Sequence, residues 1–164
     1  MRVRRFLVCP AVAVGLLLTP HLAGSATAAP PIEVSGTYTS IMTGGTLPEG
    51  PGRAQFFTFS NAVTLSGSYT ATGTASYRCV TVGTQVFKCH GEQFITGSLE
   101  GVGAGTVTNR SLITCDLTAG VCTSTVVSLS GTGALADVHA VTHSQNGLTE
   151  PFGTYSGKVV VKGR

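Results

Sequence analysis

Between Val63 and Cys79 the chain alternates with a period of two. Odd positions carry Val63, Leu65, Gly67, Tyr69, Ala71, Gly73, Ala75, Tyr77 and Cys79; even positions carry Thr64, Ser66, Ser68, Thr70, Thr72, Thr74, Ser76 and Arg78. Successive side chains on a strand point to opposite faces, so this pattern predicts an extended segment with one apolar face and one hydroxyl face. The run exceeds an ordinary strand of about 5–6 residues, and Gly67 and Gly73 are the points where it can bend or bulge as a sheet curls. The pattern returns near the C-terminus, where Tyr155, Gly157, Val159 and Val161 face one way and Thr154, Ser156, Lys158 and Lys162 the other, with Val160 the exception.

Further strands are expected at Ile32–Ile41, Ala54–Ser60, Gln85–Cys89, Gln93–Leu99, Gly105–Cys115, Val121–Leu129 and Leu135–His143. Turn-forming residues separate them: Gly44-Gly45, the Pro48-to-Gly52 stretch, Gly101 to Gly105, Gly131 to Gly133, and Asn146-Gly147. No segment sustains a 3.6-residue period. The chain is therefore expected to be all-β and antiparallel, as a closed barrel or a β-sandwich. Closure into a barrel is favoured, because it removes the edges that strands this poor in charge would otherwise expose.

The N-terminus predicts a destination. Met1 to Arg5 is basic, Phe6 to Leu18 is mostly apolar, and small residues with helix breakers follow from Thr19-Pro20 to Ala28-Ala29. That is the layout of a secretory signal peptide. The apolar run is short of the roughly 20 residues that span a bilayer as a helix, and no later run is long enough. Ala26-Thr27-Ala28 fits a small-x-small cleavage site, which makes residues 1–28 the leader and residues 29–164 a secreted domain starting at Ala29. Cys9 does not make a lipoprotein signal, since Phe6-Leu7-Val8 before it are not small.

Removing 28 of 164 residues leaves 136, enough for one domain with a sizeable core. Of the 10 basic residues, Arg2, Arg4 and Arg5 leave with the leader, so the mature chain balances 7 basic against 7 acidic residues. No basic stripe remains for a phosphate backbone, which disfavours nucleic acid as a partner. Few and scattered aromatic residues likewise disfavour an outer-membrane barrel with its two aromatic girdles.

The mature cysteines are Cys79, Cys89, Cys115 and Cys122. An even count in an oxidising compartment predicts two disulfides. Three connectivities are possible; Cys79–Cys89 with Cys115–Cys122 is favoured, because each pair brackets a short turn-like segment between strands. Structural zinc would want closer pairs, so no metal or other cofactor is expected.

The segment Ser130-Gly131-Thr132-Gly133-Ala134-Leu135-Ala136, the strand after it, and Gly153-Thr154-Tyr155-Ser156-Gly157 resemble the closing hairpin of small bacterial β-barrel proteins of unknown function. Those proteins are related in shape to allene oxide cyclase and the plant dirigent proteins. The Thr/Gly alternation around Val63–Tyr77 and Gly97-Ser98-Leu99-Glu100-Gly101 are similar to the same group, so the resemblance spans Ile32 to Val161. It implies a calycin-like antiparallel barrel of about eight strands with a central cavity, a size that holds one small ligand, and an oligomeric state above the monomer. Asp137, Ala140 and Thr142 replace glycines of that group, and the four cysteines are additions. No catalytic residue of the cyclase or the dirigent proteins has a matching position here.

Candidate chemistry is sparse. Asp137, His139 and His143 share one face of an expected strand, at spacings of roughly 7 and 13 Å, so Asp137 and His139 are the one pair within reach of a metal; a solvated polar face is the simpler expectation. Glu92 and Glu100 flank the Gln93–Leu99 strand, with no reason to converge as paired glycosidase carboxylates. Cys89 and His90 are neighbours and so point to opposite faces. Asn109-Arg110-Ser111 is a glycosylation sequon. The aromatic set Phe57, Phe59, Tyr69, Tyr77, Phe87, Phe94 and Tyr155 is expected inside, lining a cavity or filling a core. Three functions follow from these expectations: non-catalytic binding of a small apolar or amphipathic ligand, a cyclase or isomerase acting inside the barrel, or a structural protein with a filled lumen. The first is favoured.

Overall fold

In the computed structural model the described residues are 30–46 and 54–163; the expected leader lies outside them. They form one closed barrel of eight antiparallel strands. The strands are β1 (Ile32–Gly45), β2 (Phe56–Gly67), β3 (Tyr69–Val82), β4 (Val86–Leu99), β5 (Gly103–Asp116), β6 (Val121–Gly131), β7 (Val138–Gly147) and β8 (Phe152–Val161). Each pairs with its sequence neighbour, and β1 pairs with β8 to close the ring. The barrel expectation holds, and the sheet has no free edge.

Alternation is what makes these strands. Their burial patterns switch between inside and outside at nearly every residue. The hydroxyl face lies outside, where Thr39, Thr64, Thr72, Thr96 and Thr106 stand opposite one another across β1 to β5. The apolar face lies inside.

Several strand limits differ from expectation. The Val63–Cys79 run is two strands, with a hairpin at Gly67-Ser68 where Gly67 takes φ +108°. Leu65 faces Ala71 across this hairpin. The two are an even number of positions apart, so the alternation passes through the turn unbroken and hides it. Conversely, Gln85–Cys89 and Gln93–Leu99 are parts of the single strand β4, and Ala54–Ser60 belongs to the longer β2. Leu135 does not begin a strand; it sits in a 3₁₀ turn, Gly133–Leu135, ahead of β7.

Barrel closure rests on a repeated tripeptide. Gly36-Thr37-Tyr38 on β1 faces Gly153-Thr154-Tyr155 on β8, so Gly36 meets Tyr155, Thr37 meets Thr154 and Tyr38 meets Gly153. Each tyrosine ring lies over the glycine opposite. A Cβ on Gly36 would stand 2.6 Å from the Tyr155 hydroxyl and one on Gly153 would stand 2.8 Å from that of Tyr38, so only glycine leaves room for the ring.

The interior divides lengthwise. At one end Val34, Leu99, Val107, Leu135, Val138, Ala140 and Val159 form a packed apolar cluster. The Leu135 turn folds across this end as a plug, with Leu135 itself 2 % exposed. Towards the other end a second cluster, centred on Val63, Ala75, Tyr77 and Ile95, lines one wall without filling the lumen.

Candidate functional site

The lumen above the Leu135 plug is a cavity of about 460 Å³, within the roughly 300–1,000 Å³ range of small-molecule sites. Its floor includes Leu135, Tyr69, Tyr155 and Val107. At the far end it is bounded by Ile41, Met42 and Leu148 to Pro151, all exposed, so it reaches the surface there.

One wall is aromatic. Alternation on β2 turns Phe57 and Phe59 inward, and alternation on β3 and β4 does the same for Tyr77 and Phe87. Phe57 stands edge-on to Phe87 at 5.5 Å between centroids, and Phe59 is tilted against Tyr77 at 4.8 Å. Such offset contacts hold the rings in place.

The facing wall is polar and uncharged. Ser40 on β1, Ser124 and Ser128 on β6, Thr142, Ser144 and Asn146 on β7 turn their side chains inward. Most of these groups are already engaged. Ser124 and Ser144 hydroxyls share a 2.6 Å hydrogen bond. Tyr38 donates to Asn146 Oδ1 at 2.8 Å, and Asn146 Nδ2 donates to the Gly147 and Glu150 carbonyls, which ties the β7–β8 turn to the mouth. Ser128 bridges β6 to β7, accepting from the Ala140 N–H and donating to the Val138 carbonyl, where the regular ladder between the two strands stops.

Between the two walls runs a row of amides. Asn61 on β2 faces Ala75 on β3, which faces Gln93 on β4, which faces Asn109 on β5. Gln93 Nε2 donates to the Tyr77 hydroxyl at 2.9 Å, and Asn61 Nδ2 donates to Ser40 Oγ at 2.6 Å. Asn61 Oδ1 is buried with no protein partner, as is Ser111 Oγ, although the latter lies near enough to Tyr77 to favour its ionised form.

All four tyrosines of the chain are in this interior, and burial raises the pKa of each. Tyr69 is pushed up to about 12, first by burial and then by the neighbouring Tyr155. At neutral pH these hydroxyls are therefore protonated donors, not bases. The formally charged residue among the described lining is Glu150, at the exposed mouth.

Six of the seven expected interior aromatics, Phe57, Phe59, Tyr69, Tyr77, Phe87 and Tyr155, line the cavity. Phe94 does not. It is 56 % exposed on the outer face, because it is an odd number of positions from Phe87 on the same uninterrupted strand. Both favoured cysteine pairs are disulfides: Cys79–Cys89 and Cys115–Cys122 bridge directly opposed residues on the inner face. Cys115 and Cys122 also line the cavity.

The candidate polar clusters do not come together. Asp137, His139 and His143 are exposed on the outside, with His143 Nδ1 3.1 Å from Thr125 Oγ1, and among the described residues no group of three metal-ligating side chains forms. Glu92 is on the outer face of β4 and Glu100 in the turn after it. The sequon residues Asn109 and Ser111 point into the barrel, Ser111 fully buried.

Sequence reasoning missed the amide row. Its signal was present: Asn61 and Gln93 each occupy an inward position within an otherwise apolar strand face, and Asn109 shares the inward face of β5 with Ser111. A polar side chain on the core parity is the informative exception.

Fold and cavity together define a small, closed, eight-stranded β-barrel with a ligand-sized lumen. No family model matches the chain, and no curated protein is similar to it. Among solved structures it is similar to a protein of unknown function from the DUF3224 family of Shewanella oneidensis MR-1. The TM-score is 0.65 at 14 % identity, covering 82 % of this chain and 100 % of that one. This likeness carries the fold alone; it does not show the expected relation to allene oxide cyclase and the dirigent proteins.

Proposed function

We propose that this protein is a secreted, non-catalytic carrier that holds one small amphipathic molecule inside its barrel. The observation that carries the proposal is the 460 Å³ cavity with an aromatic wall facing a wall of hydroxyls and amides. An amphipathic molecule satisfies both walls at once, and a filled structural core would leave no such space. Two disulfides on the inner face fit an oxidising compartment and support the secreted assignment. The signal-peptide pattern in residues 1–28 points the same way.

A cyclase or isomerase working in the lumen is the second reading; the small bacterial barrels that the sequence resembles are related in shape to allene oxide cyclase and the dirigent proteins. Its supporting observation is the buried hydroxyl–amide pair of Tyr77 and Gln93 beside the aromatic wall. Acid–base catalysis near neutrality wants a group whose pKa lies near the working pH. The lumen offers tyrosines held above their ordinary value, which favours binding over proton transfer.

The test is an intact mass spectrum of the exported protein, first native and then denatured. A carrier releases a ligand of a few hundred daltons on denaturation. The same spectrum gives a chain mass starting at Ala29 and lighter by four hydrogens for two disulfides. Turnover of the released compound by fresh protein would replace the carrier with the isomerase.

A further inference from the structure

We propose that the open end of the barrel docks on the surface of an electrically neutral lipid bilayer, with the mouth of the cavity facing the lipid. The docking stands on the rim alone. Its use, passing a ligand between lumen and bilayer without crossing water, rests on the carrier reading above.

Closed and open ends present different residues to solvent. At the closed end the turns are Gly67-Ser68, Glu100 to Val102 and Thr132 to Asp137, whose exposed residues are polar or small. At the open end large apolar side chains are exposed: Phe56 at the start of β2, Val82 at the end of β3, Leu117 after β5, Leu148 after β7, Phe152 at the start of β8, and Met42 towards the end of β1. Phe56 is 62 % exposed and Phe152 59 %. These residues come from different strands and turns, so the apolar rim runs round the mouth instead of gathering on one flank.

The depth of the rim fits a bilayer surface. Just below it the outer face carries hydroxyls and charge: Thr58 on β2, Lys88 on β4, Thr114 on β5 and Thr154 on β8 are all exposed. The apolar band is therefore about two residues deep, roughly 7 Å along a strand. Interfacial protein elements sit roughly 5–10 Å into the boundary between headgroups and acyl chains, whereas a spanning barrel needs an outer apolar band about 25 Å tall. The rim can rest in that boundary, and the polar groups beneath stop it there.

Charge selects the kind of lipid. The described charges at the rim are the acidic residues Asp116 and Glu150, and Asp116 turns one carboxylate oxygen to the Thr118 and Ala119 N–H groups. Among the described residues no basic cluster draws this end to anionic headgroups. Apolar contact is what holds it.

A second copy of the chain fits the rim less well. End-on contact can bury no more than the cross-section of the eight-stranded ring. Strands about 4.8 Å apart and tilted by roughly 40° make that ring about 16 Å across. With side chains this is on the order of 500 Å², mouth included, against about 800 Å² per partner in a stable complex. A bilayer sets no such minimum, and the lumen opens onto it: Met42 and Leu148 are exposed and also line the cavity.

Flotation of the exported protein with phosphatidylcholine vesicles tests the proposal. The unaltered protein should float with them, and no better when anionic phosphatidylglycerol is added. The triple variant Phe56→Ser, Leu148→Ser, Phe152→Ser should bind about tenfold more weakly or less. Phe94→Ser, which removes a similarly exposed ring from the flank of the barrel, should bind as the unaltered protein does. Failure of the unaltered protein to bind phosphatidylcholine overturns the docking, whether or not the variants fold. Binding that requires phosphatidylglycerol, or that survives the triple variant, overturns it too. Self-association that the triple variant abolishes, without flotation, gives the rim to a second copy. Flotation of a protein that releases no ligand in the mass spectrum leaves the docking and removes the carrier; a released ligand without flotation does the reverse.

Discussion

The two ends of the barrel are built from the same eight strands and do opposite things. At one end Leu135 drops across the lumen and packs with Val34, Leu99, Val138 and Val159 into a buried apolar core. At the other, Phe57, Phe59 and Phe87 stay against their own wall, and the opposite wall carries hydroxyls and amides. The difference is made by a few residues. The 3₁₀ turn before β7 supplies a side chain that reaches the axis, and no described segment does so at the far end. On the carrier reading, stability and binding are separated along the axis, and the two can be perturbed one at a time.

Leu135→Ala tests the separation most severely. Removing a fully buried Leu should cost about 2–5 kcal/mol, read as a lower denaturant midpoint, and it deepens the cavity floor. A loss below 1 kcal/mol, on the order of a surface change, would mean the plug is not what holds the closed end together.

The disulfides come next. Replacing Cys115 and Cys122 with Ala should lower stability by about 2.5 kcal/mol, because the bridge closes a short loop and constrains the unfolded chain. The bridge lies at the open end, so this change should also loosen ligand binding, whereas Leu135→Ala should not abolish it.

Alkaline pH discriminates the ends by a milder effect. Tyr69 is part of the floor, and its pKa rises from an ordinary value near 10 to about 12 on folding. The unfolded chain therefore releases this proton first as pH rises. Stability should be unaffected below about pH 10 and fall progressively towards pH 12. Tyrosinate absorbance at 295 nm, followed with the melting temperature, checks this; ionisation of all four tyrosines near pH 10 without loss of stability would contradict it. The smallest effect belongs to Phe94→Ser. On the outer face it should change stability by no more than about 0.5 kcal/mol and leave ligand binding as it was, whereas Phe87→Ser should weaken binding.

How much of this was legible in the sequence follows from the geometry of alternation. A period of two is a local signal, and it revealed nearly every strand and the inward face of most of them. It does not register a hairpin that preserves parity, which is why β2 and β3 read as one run through Gly67. Nor does it reveal that Gly91 can lie within a strand; the Tyr77 ring facing it on β3 takes the place of its side chain. Phe94 lies outside for the same reason: only because β4 runs unbroken through Gly91 does its parity oppose that of Phe87. Leu135 escaped because its role is a long-range one. Nothing in its neighbours says that Val34 and Val159 will surround it. The amide row could have been read, as three polar residues on the core parity; that they share one cross-strand row depends on register, which the sequence does not display.

The repeated Gly-Thr-Tyr seam also has a meaning in time. Tyr38 and its hydrogen-bonded partner Asn146 are 108 positions apart, and β8 comes later still. Until that last strand is made, β1 and β7 each have a bare backbone edge, and bare edges of hydroxyl-rich, weakly charged strands recruit other chains. Contacts so distant along the chain form slowly. Closing the seam removes both edges at once, and it does so by joining the first and last strands of the barrel.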